Sequence, residues 1–119
     1  MIINDGKFRQ AILAALADSE MLDIINHAMY QPKSFNDIVK ETNIPHTTAF
    51  RKIKLMMDDG LLITEKIQIT KDGKKSSLFR STLRSIVVRY ENNQVRVEAE
   101  KNIDTVAKTT ERFFSLDSE

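Results

Sequence analysis

The chain has 119 residues, 41% of them hydrophobic and 29% charged, and a formal net charge of only +1. That length suits one core rather than two, and that balance suits a globular domain rather than a disordered or membrane-embedded chain. Cysteine is absent, which excludes a disulfide framework, a thiolate metal site and a cysteine nucleophile. The opening Met1-Ile2-Ile3-Asn4-Asp5-Gly6 has no basic lead, apolar core or small-residue cleavage site of a secretory signal. No apolar run approaches membrane-spanning length, so a cytoplasmic protein without membrane contact is expected.

The charge is unevenly spread. Residues 46–89 carry ten Lys/Arg against four Asp/Glu, a surplus of +6, whereas residues 1–45 carry four against six and residues 90–119 four against seven. A basic centre between acidic flanks is what phosphate binding uses, although a merely solvated surface can show the same imbalance.

In chain order, residues 7–17 are rich in helix formers, with Phe8, Ile12 and Leu16 spaced to share a face. Ser19 can cap a second helix over 20–30, in which Leu22, Ile25 and Met29 recur at helical spacing. Gln31-Pro32-Lys33 predicts a turn. Ser34 and Asp37 form a near capping box for a third helix, with Phe35, Ile38 and Val39 inward. After the break Asn43-Ile44-Pro45, a fourth helix is predicted over 46–59, with Ala49, Ile53, Met56 and Met57 as its buried stripe and Gly60 as its left-handed stop. The period then falls to two. Leu61, Ile63, Ile67 and Ile69 alternate with polar residues, predicting a half-buried strand, and Lys71-Asp72-Gly73-Lys74-Lys75 predicts a tight turn into a strand through Leu78 and Phe79. Segments 86–90 and 95–98 around Asn92-Asn93 predict a second hairpin, and residues 102–116 a last helix.

Two helices joined by a short break, followed by a strand, a basic turn and a strand, suit DNA reading. The major groove admits a helix, whose N-terminal N–H groups favour phosphate. With the apolar stripe removed, the fourth helix offers His46, Thr47, Thr48, Phe50, Arg51, Lys52 and Lys54, and the turn adds Lys71, Lys74 and Lys75. Threonine hydroxyls can donate to phosphates or base edges, and the planar Arg51 fork matches guanine O6 and N7. The lysines can meet backbone or minor groove. Each has a plainer alternative. The cations can be a solvated face, Phe50 can pack on the wing base or the third helix, and His46 can cap as readily as contact phosphate. His27 reads as a half-buried histidine with its hydrogen bonds satisfied rather than as a ligand.

The stretch from residue 17 to 82, about half the chain, resembles the winged helix-turn-helix domain of ArsR-type regulators, particularly the archaeal branch. The matching patterns are Ser34-Phe35-Asn36-Asp37-Ile38-Val39, Ile44-Pro45-His46-Thr47-Thr48-Ala49-Phe50-Arg51-Lys52-Ile53 and Met57-Asp58-Asp59-Gly60-Leu61-Leu62. The resemblance implies a positioning helix, a recognition helix and an exit into the wing, and a homodimer on a palindromic operator. Metal-sensing members use cysteines, so no metal site or cofactor is carried over to this chain. The expected fold is α+β: a winged helix-turn-helix with a three- to four-helix core and a hairpin wing over 1–84, and a C-terminal hairpin and helix over 85–119 as a dimerisation extension of the same domain. Ile103, Val106, Thr110, Phe113 and Phe114 are its candidate interface. They need a cover, either the first helix or a second copy, and a symmetric dimer is favoured because one small reading head gives little specificity.

Catalysis is not expected. All three glycines serve turns or ends, no Ser/His/Asp set appears, and the carboxylates are scattered. The rival reading is a winged-helix module that binds protein within a larger transcription assembly, and RNA remains an alternative ligand. Operator, effector and the sign of regulation are left open.

Overall fold

The computed structural model describes residues 1–102 as an α+β fold of four helices and two small antiparallel sheets. The helices are α1 (Gly6–Leu16), α2 (Ser19–His27), α3 (Phe35–Thr42) and α4 (His46–Asp58). The strands are β1 (Lys33–Ser34), β2 (Leu62–Ile69), β3 (Lys75–Ser81), β4 (Leu83–Glu91) and β5 (Gln94–Lys101). Beyond Asn102, the helix predicted over 102–116, and with it Ile103, Val106, Thr110, Phe113 and Phe114, lies outside the described residues.

Local chemistry explains most boundaries. Asp5 caps α1 by accepting from the Lys7 and Phe8 amides. At α2 the capping residue is Asp18 rather than the expected Ser19: its carboxylate accepts from the Glu20 and Met21 amides at 3.0 Å each. Ser19 is already the first helical residue. The Ser34–Asp37 capping box of α3 is complete in both directions. Gly60, at φ +84°, ends α4 in a Schellman arrangement: its amide donates to the Met57 carbonyl and the Leu61 amide to the Met56 carbonyl, and the Met56 and Leu61 side chains are both buried.

The helices bury Ile12, Ile24, Ile38 and Met56 completely, and the same core takes in Leu61, Leu62, Leu83, Val97 and Ala99. Helix α2 is turned from its expected orientation. Met21, Ile24 and Ile25 face the core while Leu22 is exposed, because Leu22 lies outside the 21/24/25/28 face that α1 and α3 cover.

The segment read as a plain turn at Pro32-Lys33 instead supplies β1. Lys33 pairs with Phe79 and Ser34 with Leu78, which gives the first sheet the order β1-β3-β2. A bulge between Thr64 and Lys66 shifts the β2–β3 register. Beyond it the strand leaves the core, so Ile67 and Ile69, expected to be half-buried, stand 59% and 69% exposed. The β4–β5 hairpin turns at Asn92 and Asn93, both at positive φ as a two-residue type I′ turn requires. The chain start joins it, with Ile3 donating to the Val97 carbonyl at 2.9 Å and Ala99 to that of Met1 at 2.8 Å. The expected division at 84/85 falls inside β4, whose buried Leu83 shares the core of the helices.

Candidate nucleic-acid interface

Helix α4 presents two unlike sides. Ala49, Ile53 and Met56 are buried, whereas His46, Thr47, Phe50, Arg51 and Lys54 are exposed and Thr48 is half-buried. Thr47, Arg51 and Lys54 stand four and three residues apart and so form one outward row. The capping position is Pro45, which offers no side-chain acceptor, so the first amides of α4 are not satisfied by a side-chain cap.

Lys52 departs from expectation. Expected among the outward cations, it is only 9% exposed, and its ammonium lies 2.7 Å from Asp18 and 2.8 Å from Glu20. The hydrogen bond from Lys52 is the main cause holding the Asp18 carboxyl below its ordinary value, helped by the Met21 amide. The same bonds, from Asp18 and then Glu20, hold the Lys52 ammonium above its own. Asp18 thus caps α2 and pins α4 to it. The spacing carried this signal: Lys52 stands three residues after Ala49 and four before Met56, on the buried side of the helix.

His46 and Phe50 are drawn together by α3. The Phe35 ring lies edge-on to His46 at 5.8 Å and to Phe50 at 6.3 Å. Phe50 therefore packs on the third helix rather than on the base of the β2–β3 hairpin, yet remains 63% exposed. His27 contacts the Asp23 carbonyl through Nδ1 at 2.8 Å, the local arrangement expected of a non-ligand histidine.

The second cationic group sits at the β2–β3 turn. Thr70 donates its amide to the Lys74 carbonyl at 2.8 Å, Gly73 donates to Thr70 at 2.9 Å, and Gly73 takes the positive φ the turn needs. Lys71, Lys74 and Lys75 are exposed around it. Among the described residues, none of Arg51, Lys54, Lys71, Lys74 and Lys75 has an ion-pair partner.

The base of this hairpin is held by residues that the pattern reading did not single out. Arg80 and Glu65, each 7% exposed in its side chain, pair at 3.2 Å. Arg80 Nε and Asn102 Nδ2 both donate to the Met29 carbonyl, at 2.9 and 2.7 Å. Asn102 also donates to the Ser81 carbonyl at 3.1 Å. These bonds tie the end of α2, the base of β3 and the end of β5 into one buried junction, where each polar group needs its partner. Two of the basic segment's cations, Lys52 and Arg80, are therefore consumed internally.

Among the described residues, no three His, Asp or Glu side chains gather to hold a metal ion, and no helix is long and apolar enough to cross a membrane. Comparison with family models, curated proteins and solved structures finds no match to this chain.

Proposed function

We propose that the chain is a winged helix-turn-helix regulator of transcription that binds double-stranded DNA in the cytoplasm as a homodimer, and that it is not an enzyme. In this reading α3 positions, α4 enters the major groove and the β2–β3 hairpin is the wing. The observation that carries it is the row Thr47, Arg51 and Lys54, exposed and, among the described residues, without acidic partners, on a helix that runs through Gly60 into a hairpin whose turn carries Lys71, Lys74 and Lys75. Cations on a helix and on the hairpin that follows it suit contact with a duplex backbone, which such elements reach in this class of reader. Arg51 reads a base edge. Thr47 and the first amides of α4 meet phosphate, as His46 does from the helix start, and the wing lysines meet backbone.

Selection of duplexes from a random pool tests this directly. A recovered motif, with preference at one position relaxed in Arg51→Ala, supports it, whereas no enrichment over unselected DNA overturns it. One observation favours the second reading, a protein-binding module: Phe50 and Leu55 are exposed on α4, and exposed aromatic and aliphatic side chains anchor protein partners. A partner captured through Phe50, with binding indifferent to salt, would support that reading instead.

A further inference from the structure

The least expected surface of the β2–β3 hairpin is apolar. Ile67 and Ile69 are two residues apart and so share a face of β2, and both are more than half exposed. Their cross-strand partners on that face are Ser77 and Lys75. The other face carries Lys66 and Gln68 opposite Leu78 and Ser76, and within residues 66–78 Leu78 is the one buried side chain. Over residues 66–75 the charge is Lys66, Lys71, Lys74 and Lys75 against Asp72 alone, all exposed. A pair of β-branched side chains is thus held out on a cationic finger, about 10 Å of strand beyond Lys66 at Ile69.

We infer that Ile67 and Ile69 form an apolar wedge that enters the minor groove of duplex DNA while the lysines around them hold the bordering phosphates. The inference rests on the DNA-binding reading and adds to it how the hairpin contributes to sequence preference. Charge complementarity points to a polyanion as the occupant, because three net positive charges surround the pair. Size points the same way. Two side chains cannot supply the roughly 800 Å² per partner of a stable protein interface, but a wedge needs only one or two. Inserted between the walls of a groove about 6 Å wide, Ile69 partly unstacks a base step, and Lys75, opposite it at about 5 Å, reaches the backbone beside that step. The duplex bends away from the wedge, and steps that unstack easily, TA and CA/TG, are favoured beneath it although no base edge is hydrogen-bonded.

The test uses the full chain and the duplex that it selects from a random pool, labelled at both ends for energy transfer. Ile67→Thr/Ile69→Thr keeps β-branching and strand preference while removing most of the apolar surface. The expected result is a wild-type bend of about 20–90° over a TA or CA step. The double variant should lose most of that bend, bind about tenfold more weakly, and no longer prefer that step. Lys74→Ala/Lys75→Ala should weaken all duplexes alike and lower the salt slope by about two. A double variant with wild-type fold by circular dichroism that binds and bends the selected duplex as wild type does would overturn the inference while leaving the DNA reading intact. Failure to select any duplex would overturn both. Sedimentation of wild type with phosphatidylserine vesicles, lost in the double variant while duplex affinity stays unchanged, would overturn it in favour of a lipid surface.

Discussion

Lys52 and Lys54 are separated by one residue and carry the same charge, yet one is buried in an ion pair and the other is exposed. On the DNA-binding reading proposed above, substituting each in turn separates an internal role from an interfacial one. Lys52→Met keeps most of the apolar stem and removes the ammonium that lies within 2.7–2.9 Å of Asp18 and Glu20. Asp18 keeps its two amide donors, so it is weakened rather than stranded. A charged hydrogen bond of this kind contributes about 1.5–3 kcal/mol. Partial solvent access at Asp18 and Glu20 screens the pair and lowers this to about 1–2 kcal/mol. For a domain of this size that is a fall in Tm of about 5–15 °C, read by circular dichroism at neutral pH.

The pH dependence follows from the two shifts. Asp18 is depressed, so its contribution is present above the ordinary carboxylate value and is lost as pH falls through its folded value. Lys52 is raised, so its contribution is present below the ordinary lysine value and is lost only as pH climbs through its folded value. The gap in stability between wild type and Lys52→Met should therefore be flat from about pH 5 to 10 and close below about pH 4. If the chain binds DNA as proposed, then in titrations below its Tm Lys52→Met should retain wild-type affinity and salt slope, while Lys54→Ala loses about one unit of slope. An unchanged Tm, or a gap that persists undiminished at low pH, would refute the internal tie. A salt slope that falls by one in Lys52→Met would instead make Lys52 a phosphate contact under that reading.

Arg51→Ala should cost about 1–3 kcal/mol of operator binding, concentrated at one base position in a competition assay. Lys75→Ala should weaken every duplex equally and reduce the salt slope by about one in fluorescence anisotropy. Gly60→Ala places a Cβ at φ +84° and should lower stability by about 1–2 kcal/mol in urea unfolding. Truncation after Asn102 keeps that buried side chain and its bonds to Met29 and Ser81 and should give a folded monomer by sedimentation. A truncated dimer would move the interface to the described residues.

Much of the framework was legible because its causes are local. The Ser34–Asp37 box, the glycine after α4, the Asp-Gly turn and the Asn-Asn turn each act through backbone groups a few residues away, so their positions follow from the string of residues. The break at Asn43-Ile44-Pro45 and the buried stripe of α4 are legible for the same reason. The outward row Thr47, Arg51 and Lys54 follows by subtraction once that stripe is assigned.

Where contacts span the chain, the sequence leaves them undetermined. Asp18 rather than Ser19 caps α2, and the same carboxylate is needed by a lysine 34 residues on. Lys33-Ser34 is a strand only because Phe79 and Leu78 are there to pair with it. Ile67 and Ile69 alternate as a core strand does, but alternation states which side chains share a face, not whether anything covers that face. A bulge and a protruding hairpin left them to solvent. Arg80, Glu65 and Asn102 look like surface residues in sequence and become a buried junction in space. Periodicity and capping are short-range and can be read along the chain. Burial, ion pairing and coverage depend on which distant segments meet, and folding in three dimensions settles them.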